Sequence, residues 1–305
     1  MTCYYTTLPG EALLHISGPD TLTFLQGQTT CDTGPVDATR AASGAYCTPQ
    51  GRVVCDFLLA QLGAEHFGLR MRRDIRAHAA AVFGKYIVFS KAEVDAERED
   101  WAVAAVWGEG AAGALEAEFG GAPATPMDAI SGEDFAIVRT AAGEESFEVF
   151  FADGGARLDG LAATAADEAA WQRLQIEAGI ARIEAPTVET FVPQVLNYDL
   201  TGHISFTKGC YTGQEVVARL HYRGKSKRRC YRADLPGSAA AAPGADLYLP
   251  GGQAAGEMVN SVAANGNGVA LVTATEEALA QGLHLDDTDG PRLSLERPPY
   301  PLEDG

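Results

Sequence analysis

The stretch KGCYTGQEVVAR, residues 208–219, places a lone cysteine between a glycine and a tyrosine, two residues after a lysine. Thr212 and Glu215 have the spacing of a capping box, in which the threonine opens a helix and the glutamate reaches back to it. Val216, Val217 and Leu220 then continue with helical spacing. With Thr212 as the cap, Cys210 lies just ahead of a helix N-terminus, where unpaired backbone N–H groups act as about half a positive charge. That field and Lys208 would favour the thiolate. Gly209 and Gly213 strip side chains from either side, leaving room for another molecule. The competing reading is a buried cysteine in a glycine-rich turn.

Outward from this stretch, residues 219–232 (RLHYRGKSKRRCYR) carry seven Lys/Arg and no acid, in a chain of 305 residues with net charge −18. Such a chain is no general coat for nucleic acid or for anionic membranes, but a local basic patch can still hold an anion. A solvated basic loop is the plainer alternative. Upstream, residues 167–182 (DEAAWQRLQIEAGIAR) predict an amphipathic helix with Asp167 as its N-cap. Ala170, Trp171, Leu174, Ala178 and Ala181 share one face, and Glu177 sits at its flank. A carboxylate so placed either pairs with an arginine or accepts paired hydrogen bonds from a ligand's N–H/NH₂ edge.

The length predicts two or three domains. EALLHISG (11–18) reads as a strand, PDTLTFLQGQ (19–28) as a short helix, and residues 44–62 as two strands joined at Pro49-Gln50-Gly51. HFGLRM (66–71) pairs back through a hairpin at Gly63. Residues 72–85 have helical spacing, and YIVFS (86–90) is expected as a strand. WAVAAVWG, FAIVRT and SFEVFF are further strands, in a rhythm that suggests split-βαβ units. Beyond residue 233, short strands among Pro and Gly predict a small all-β barrel or sandwich.

No basic leader, no apolar run long enough to span a bilayer, and six irregularly spaced cysteines read as a chain with free thiols in a reducing cytoplasm. A P-loop would need glycine where Arg219 stands, and there is no C-x-x-C, zinc-type histidine spacing or G-x-S-x-G. No metal site is expected.

KGCYTGQEVVAR resembles the signature of the YgfZ family, folate-binding proteins of iron–sulfur cluster assembly and tRNA modification. FLQGQTTCD (24–32) and PQVLNYD (193–199) resemble two further motifs of that family. The family is similar in fold to the glycine cleavage T-protein, an aminomethyltransferase that uses tetrahydrofolate. The resemblance implies an α+β fold: two interleaved ferredoxin-like domains around a central channel, plus a C-terminal β-barrel. The expected division is residues 1–30 with 95–180, residues 31–94 with 181–225, and a barrel over 226–305.

The resemblance also implies tetrahydrofolate or a one-carbon derivative as cofactor, and Cys210, Lys208 and Asp56 as the working residues. LQIEAG resembles the T-protein stretch whose glutamate holds the pterin edge, which carries that role to Glu177. Arg173, Gln214 and Arg223 are placed with it as folate-binding candidates. Expected partners are iron–sulfur assembly proteins or client enzymes, with a link to tRNA and none to membranes. Gly51–Asp56 stands where T-proteins have G-G-x-x-D-D, with Cys55 in place of one acid, which weighs against aminomethyl transfer. A T-protein-type aminomethyltransferase and a non-enzymatic RNA- or partner-binding module remain the alternatives.

Overall fold

The computed structural model describes residues 2–152, 158–224, 226–236, 241–264, 267–286 and 290–302. The chain packs as two compact units. Unit 1 holds residues 1–46, 54–168 and 203–212; unit 2 holds 47–53, 169–202 and 213–305.

Unit 1 runs β1 (Tyr4–Thr7), β2 (Glu11–Ser17), α1 (Thr21–Gln28), β3 (Ala42–Cys47), β4 (Val53–Gly63), β5 (His66–Arg72), α2 (Arg73–Ile87), β6 (Glu93–Asp95), β7 (Trp101–Trp107), α3 (Ala111–Phe119), β8 (Ala129–Ser131), β9 (Phe135–Arg139), β10 (Ser146–Ala152) and β11 (Thr164–Ala165). These strands form two sheets, β11-β1-β7-β10-β9-β8 and β3-β4-β5-β2-β6. On the first, alternate residues Ala104 and Val106 of β7 and Phe147, Val149 and Phe151 of β10 point to one face, where they meet Ala111, Ala114 and Leu115 of α3. On the second, α2 packs against β2, β5 and β6, burying Ile75, Ala79 and Phe83. Arg70 of β5 forks onto Glu148 of β10, Nε to Oε2 at 2.6 Å and Nη2 to Oε1 at 2.7 Å. This buried bidentate pair joins the two sheets, and Glu11 lies 3.8 Å from the same guanidinium.

Unit 2 contains most of α4 (Glu168–Glu177), then α5 (Gln214–Arg223), and the strands β12 (Arg229–Pro236), β13 (Asp246–Tyr248), β14 (Ala254–Ala264), β15 (Asn267–Ala274), β16 (Leu283–Leu285) and β17 (Arg292–Glu296), with α6 (Glu276–Gln281) before β16. The six strands close in the order β12-β15-β14-β13-β16-β17, and β17 pairs back to β12 through Ala233–Leu295. Closure removes both sheet edges. The core is Tyr231, Leu235, Leu247, Met258, Val272 and Leu293 with their neighbours. PQVLNYD anchors this barrel. Asn197 sits in the left-handed region at φ 60°. Its amide donates to the Cys230 carbonyl at 2.8 Å and accepts from the Cys230 N–H at 3.3 Å. Asp199 pairs with Arg229 at 2.8 Å.

Four expectations need correction. β2 pairs with β5 and β6, so residues 11–17 belong with the 42–95 sheet and not with 95–180. YIVFS is no strand: α2 runs on to Ile87, and the Asp20 carboxylate then takes the Lys91 N–H at 2.8 Å, turning the chain into β6. The helix predicted to 182 stops at Glu177, because Gly179 adopts φ 73°. Thr212 does not cap α5. Gly213 does, at φ 83°, and a Cβ there would stand 2.5 Å from the Thr48 carbonyl oxygen.

Candidate functional site: a lysine-clamped turn that presents Cys210

The signature turn is built against the end of α1. Thr30 donates its hydroxyl to the His203 carbonyl at 2.6 Å, and the Ser205 N–H donates to the Thr30 carbonyl at 2.9 Å. These bonds lay residues 203–205 alongside the FLQGQTTCD segment. The Ser205 hydroxyl then accepts the Lys208 N–H at 3.3 Å. The Lys208 ammonium donates to the carbonyls of Gln26, Thr29 and Cys31, each at 2.7 Å. An ammonium has three N–H donors, so its capacity is filled. Gln26 lies in the last turn of α1, where backbone carbonyls lack intrahelical partners and carry partial negative charge, and Thr29 and Cys31 lie just beyond it. Burial holds the Lys208 ammonium below the ordinary lysine value, while Cys31 and Asp32 act in the opposite direction. The Tyr211 ring lies 5.2 Å from the same nitrogen, a cation–π contact. Thr212 donates its hydroxyl to Gln28 Oε1 at 3.2 Å.

Lys208 and Tyr211 are thus plugged into unit 1, and Gly209 and Cys210 between them stand out. Cys210 is exposed, whereas Cys3, Cys31, Cys47, Cys55 and Cys230 are buried. Burial pushes the Cys47 and Cys230 thiols up to about 12, and it also raises Cys3 and Cys31. One cysteine in six is therefore accessible for chemistry. A Cβ added at Gly209 would meet nothing within 4 Å, so the thiol has open space beside it. The other two features assigned to thiol activation are directed elsewhere. Lys208 is spent on carbonyls, and α5 starts at Gln214 without a Thr212 cap.

Asp56, on β4 of unit 1, is 1% exposed and engaged by its neighbours. The folate-binding candidates all lie in unit 2. Arg173 Nε donates to Glu177 Oε1 at 2.9 Å, an i,i+4 pair on α4 in which both side chains keep about a third of their surface. Gln214 opens α5 and Arg223 ends it. The basic segment does not act as one patch. Arg228 pairs with Glu257 at 3.3 Å, Arg229 with Asp199, and Arg232 with Glu296. Arg219, Arg223 and Lys227 are exposed, and Lys225 lies outside the described residues. Among the described residues, no three His, Cys, Asp or Glu side chains cluster to hold a metal ion, and no helix is long and apolar enough to cross a membrane.

The tRNA-modifying protein YgfZ of Sodalis glossinidius is 31% identical to the chain over 315 residues, covering 97% of this chain and 92% of its own length. The chain belongs to the YgfZ family. Other YgfZ proteins agree. That of Klebsiella pneumoniae is 32% identical over 98% of this chain and 93% of its own. That of Edwardsiella ictaluri is 34% identical over 77% and 72%. No family model matches the chain. Among solved structures, the glycine cleavage system aminomethyltransferase T from Bartonella henselae superposes with a TM-score of 0.75 over 96% of this chain and 84% of that one, at 17% identity. That likeness shows the fold: two ferredoxin-like α+β domains and a C-terminal barrel.

In this YgfZ-family chain the sequence reading missed Tyr211 and the α1 carbonyls as the seat of the signature turn. The Lys-x-x-Tyr spacing was the available signal, since both residues face inward while the two between them face out.

Proposed function

We propose that this protein serves tRNA modification as a folate-dependent accessory factor for iron–sulfur enzymes, with Cys210 as the group that meets the partner or its cargo. The observation that carries the reading is the clamp. Three charge-assisted hydrogen bonds and a ring contact hold residues 208 and 211 so that the thiol between them faces solvent. A structural cysteine would be packed, as the other five are. The names of the YgfZ relatives support the link to tRNA modification.

The residues of unit 2 fit a reduced folate in one respect. Glu177 keeps a half-buried carboxylate whose Oε2 has no partner among the described residues, suited to accept an N–H from a pterin edge. Arg173 orients that carboxylate through Oε1. Gln214 is proposed to bind the remainder of the ligand. A bound reduced folate would supply one-carbon or redox chemistry. Glu177→Gln replaces an acceptor with a donor and is expected to weaken binding of tetrahydrofolate by roughly ten- to hundredfold, about 1.5–3 kcal/mol. Calorimetry giving equal affinity would remove Glu177 from the site.

The direct test is complementation of a strain lacking its own YgfZ protein. Wild type should restore modified nucleosides in total tRNA and the activity of iron–sulfur enzymes, and Cys210→Ser should restore neither while folding normally. Full rescue by Cys210→Ser would sink the reading.

A further inference from the structure

We infer that the outer face of α5 is a binding surface for single-stranded RNA, with Tyr222 as a stacking platform and Arg219, Arg223 and Lys227 as phosphate contacts. The inference deepens the tRNA part of the function proposed above and rests on it.

α5 is fixed from one side. Val217 is 1% exposed, and its carbonyl accepts from Gln194 Nε2 at 2.7 Å. Val216 lies against Gly51, where an added Cβ would come within 2.9 Å of the valine. At about 100° per residue, Tyr222 points about 190° away from the mean direction of these two valines. It is 67% exposed, and the His221 ring lies 4.7 Å from it, edge-on. Such an outward tyrosine offers a π-face to a base. Arg219 and Arg223, one helical turn apart, are exposed about 60° and 100° round the helix from it, both on the same side, and Lys227 is exposed just beyond the helix.

Charge complementarity selects the occupant. From Val216 to Ala233 there is no acid, in a chain that carries 41. The cations nearest the barrel are neutralised by Glu257, Asp199 and Glu296, so the positive charge that remains uncompensated by these pairs is concentrated at α5. The nearest acid on the helix is Glu215, at its opposite end. An exposed aromatic set among arginines is the arrangement that tracks a phosphate backbone while stacking its bases. An acidic protein would use the arginines and lysine but would not need the ring.

The test is fluorescence anisotropy of the full-length protein with a labelled oligouridine of about twelve nucleotides, across a salt series. Three cations predict a slope of log K against log salt near −2, and Arg219→Gln should reduce it by about 0.7. Tyr222→Ala should weaken binding by about 5- to 150-fold, and Tyr222→Phe should retain it. Poly-L-glutamate, as competitor, should be insensitive to Tyr222→Ala. The inference is overturned if oligouridine does not bind, if Tyr222→Ala binds as wild type does, or if poly-L-glutamate shows the same dependence on the ring. Complementation by Tyr222→Ala and Cys210→Ser separates the two claims. Loss only with Cys210→Ser, together with no RNA binding, refutes the RNA face and leaves the accessory role standing.

Discussion

Replacing Lys208 by methionine keeps the length of the side chain and removes its three donors. Each lost charge-assisted bond is worth about 1.5 kcal/mol at the low end, giving about 4–5 kcal/mol for three. The Lys208 ammonium is only partly buried, so water re-solvates some of the carbonyls of Gln26, Thr29 and Cys31, and a net local cost of about 3 kcal/mol is expected. That cost falls on the docking of residues 203–212 and on the end of α1, not on the barrel. Hydrogen exchange read by mass spectrometry should therefore show protection in these two segments falling by about a hundredfold, with the segments of unit 2 unchanged. Lys208→Arg should not rescue, because a planar fork cannot point at three carbonyls that converge on one atom. If both segments kept their protection in Lys208→Met, the ammonium would not be what holds the turn, and the reason given for the exposure of Cys210 would fall.

Three other outcomes follow from the same geometry. Under native conditions a thiol reagent should titrate one cysteine quickly, and Cys210→Ser should abolish that fast phase; two or more fast thiols would contradict the burial of the other five. Glu148→Gln should destabilise unit 1 by about 1.5–3 kcal/mol in denaturant unfolding, because it removes the charged partner of the Arg70 fork and leaves Glu11, 3.8 Å away, as the remaining carboxylate, whereas Arg70→Met with Glu148→Leu should recover part of the loss. His15 is held down to about 4, chiefly by burial, with Arg98 and His66 adding to the effect and Asp100 and Asp95 opposing it. Its folded value lies below the ordinary 6.5, so its contribution is complete above pH 6.5 and is lost as pH falls through about 4, about 3 kcal/mol in all. In a pH series of denaturant melts His15→Asn should flatten that slope, and an unchanged slope would refute the assignment.

The sequence carried the sheet strands well, because the short apolar runs in WAVAAVWG, FAIVRT and SFEVFF are a local signal, and these strands are buried along nearly their whole length. The all-β character of the residues beyond 233 was legible for the same reason, while the choice of barrel over sandwich came from the family resemblance. The capping box was not, because the left-handed Gly213 starts the helix one residue later, and the Thr212 hydroxyl is turned to Gln28, 184 residues away in the chain. YIVFS has the composition of a strand, but the amphipathic helix before it extends through Tyr86 and Ile87, leaving Val88 and Phe89 exposed in the following turn. Cys210 was found from its glycines and its lysine, yet the true role of that lysine depends on backbone carbonyls, which no residue type announces. Glu177 had two readings in sequence, and the ion pair with Arg173 gives substance to the arginine partner without using both oxygens.

The clamp has a consequence for synthesis. Cys31 and Lys208 are 177 residues apart. At about 5–20 residues per second, a ribosome needs on the order of ten seconds or more to go from one to the other. Through that interval the end of α1 is made but has no ammonium to receive its carbonyls. The segment that carries Cys210 arrives only after every described strand of unit 1 has been translated, and it docks onto α1, the first helix of that unit. A nascent chain stalled before residue 208 therefore holds four of the six thiols and lacks the one that faces solvent. The thiol is mounted as a last step, on a first unit whose strands have all been synthesised.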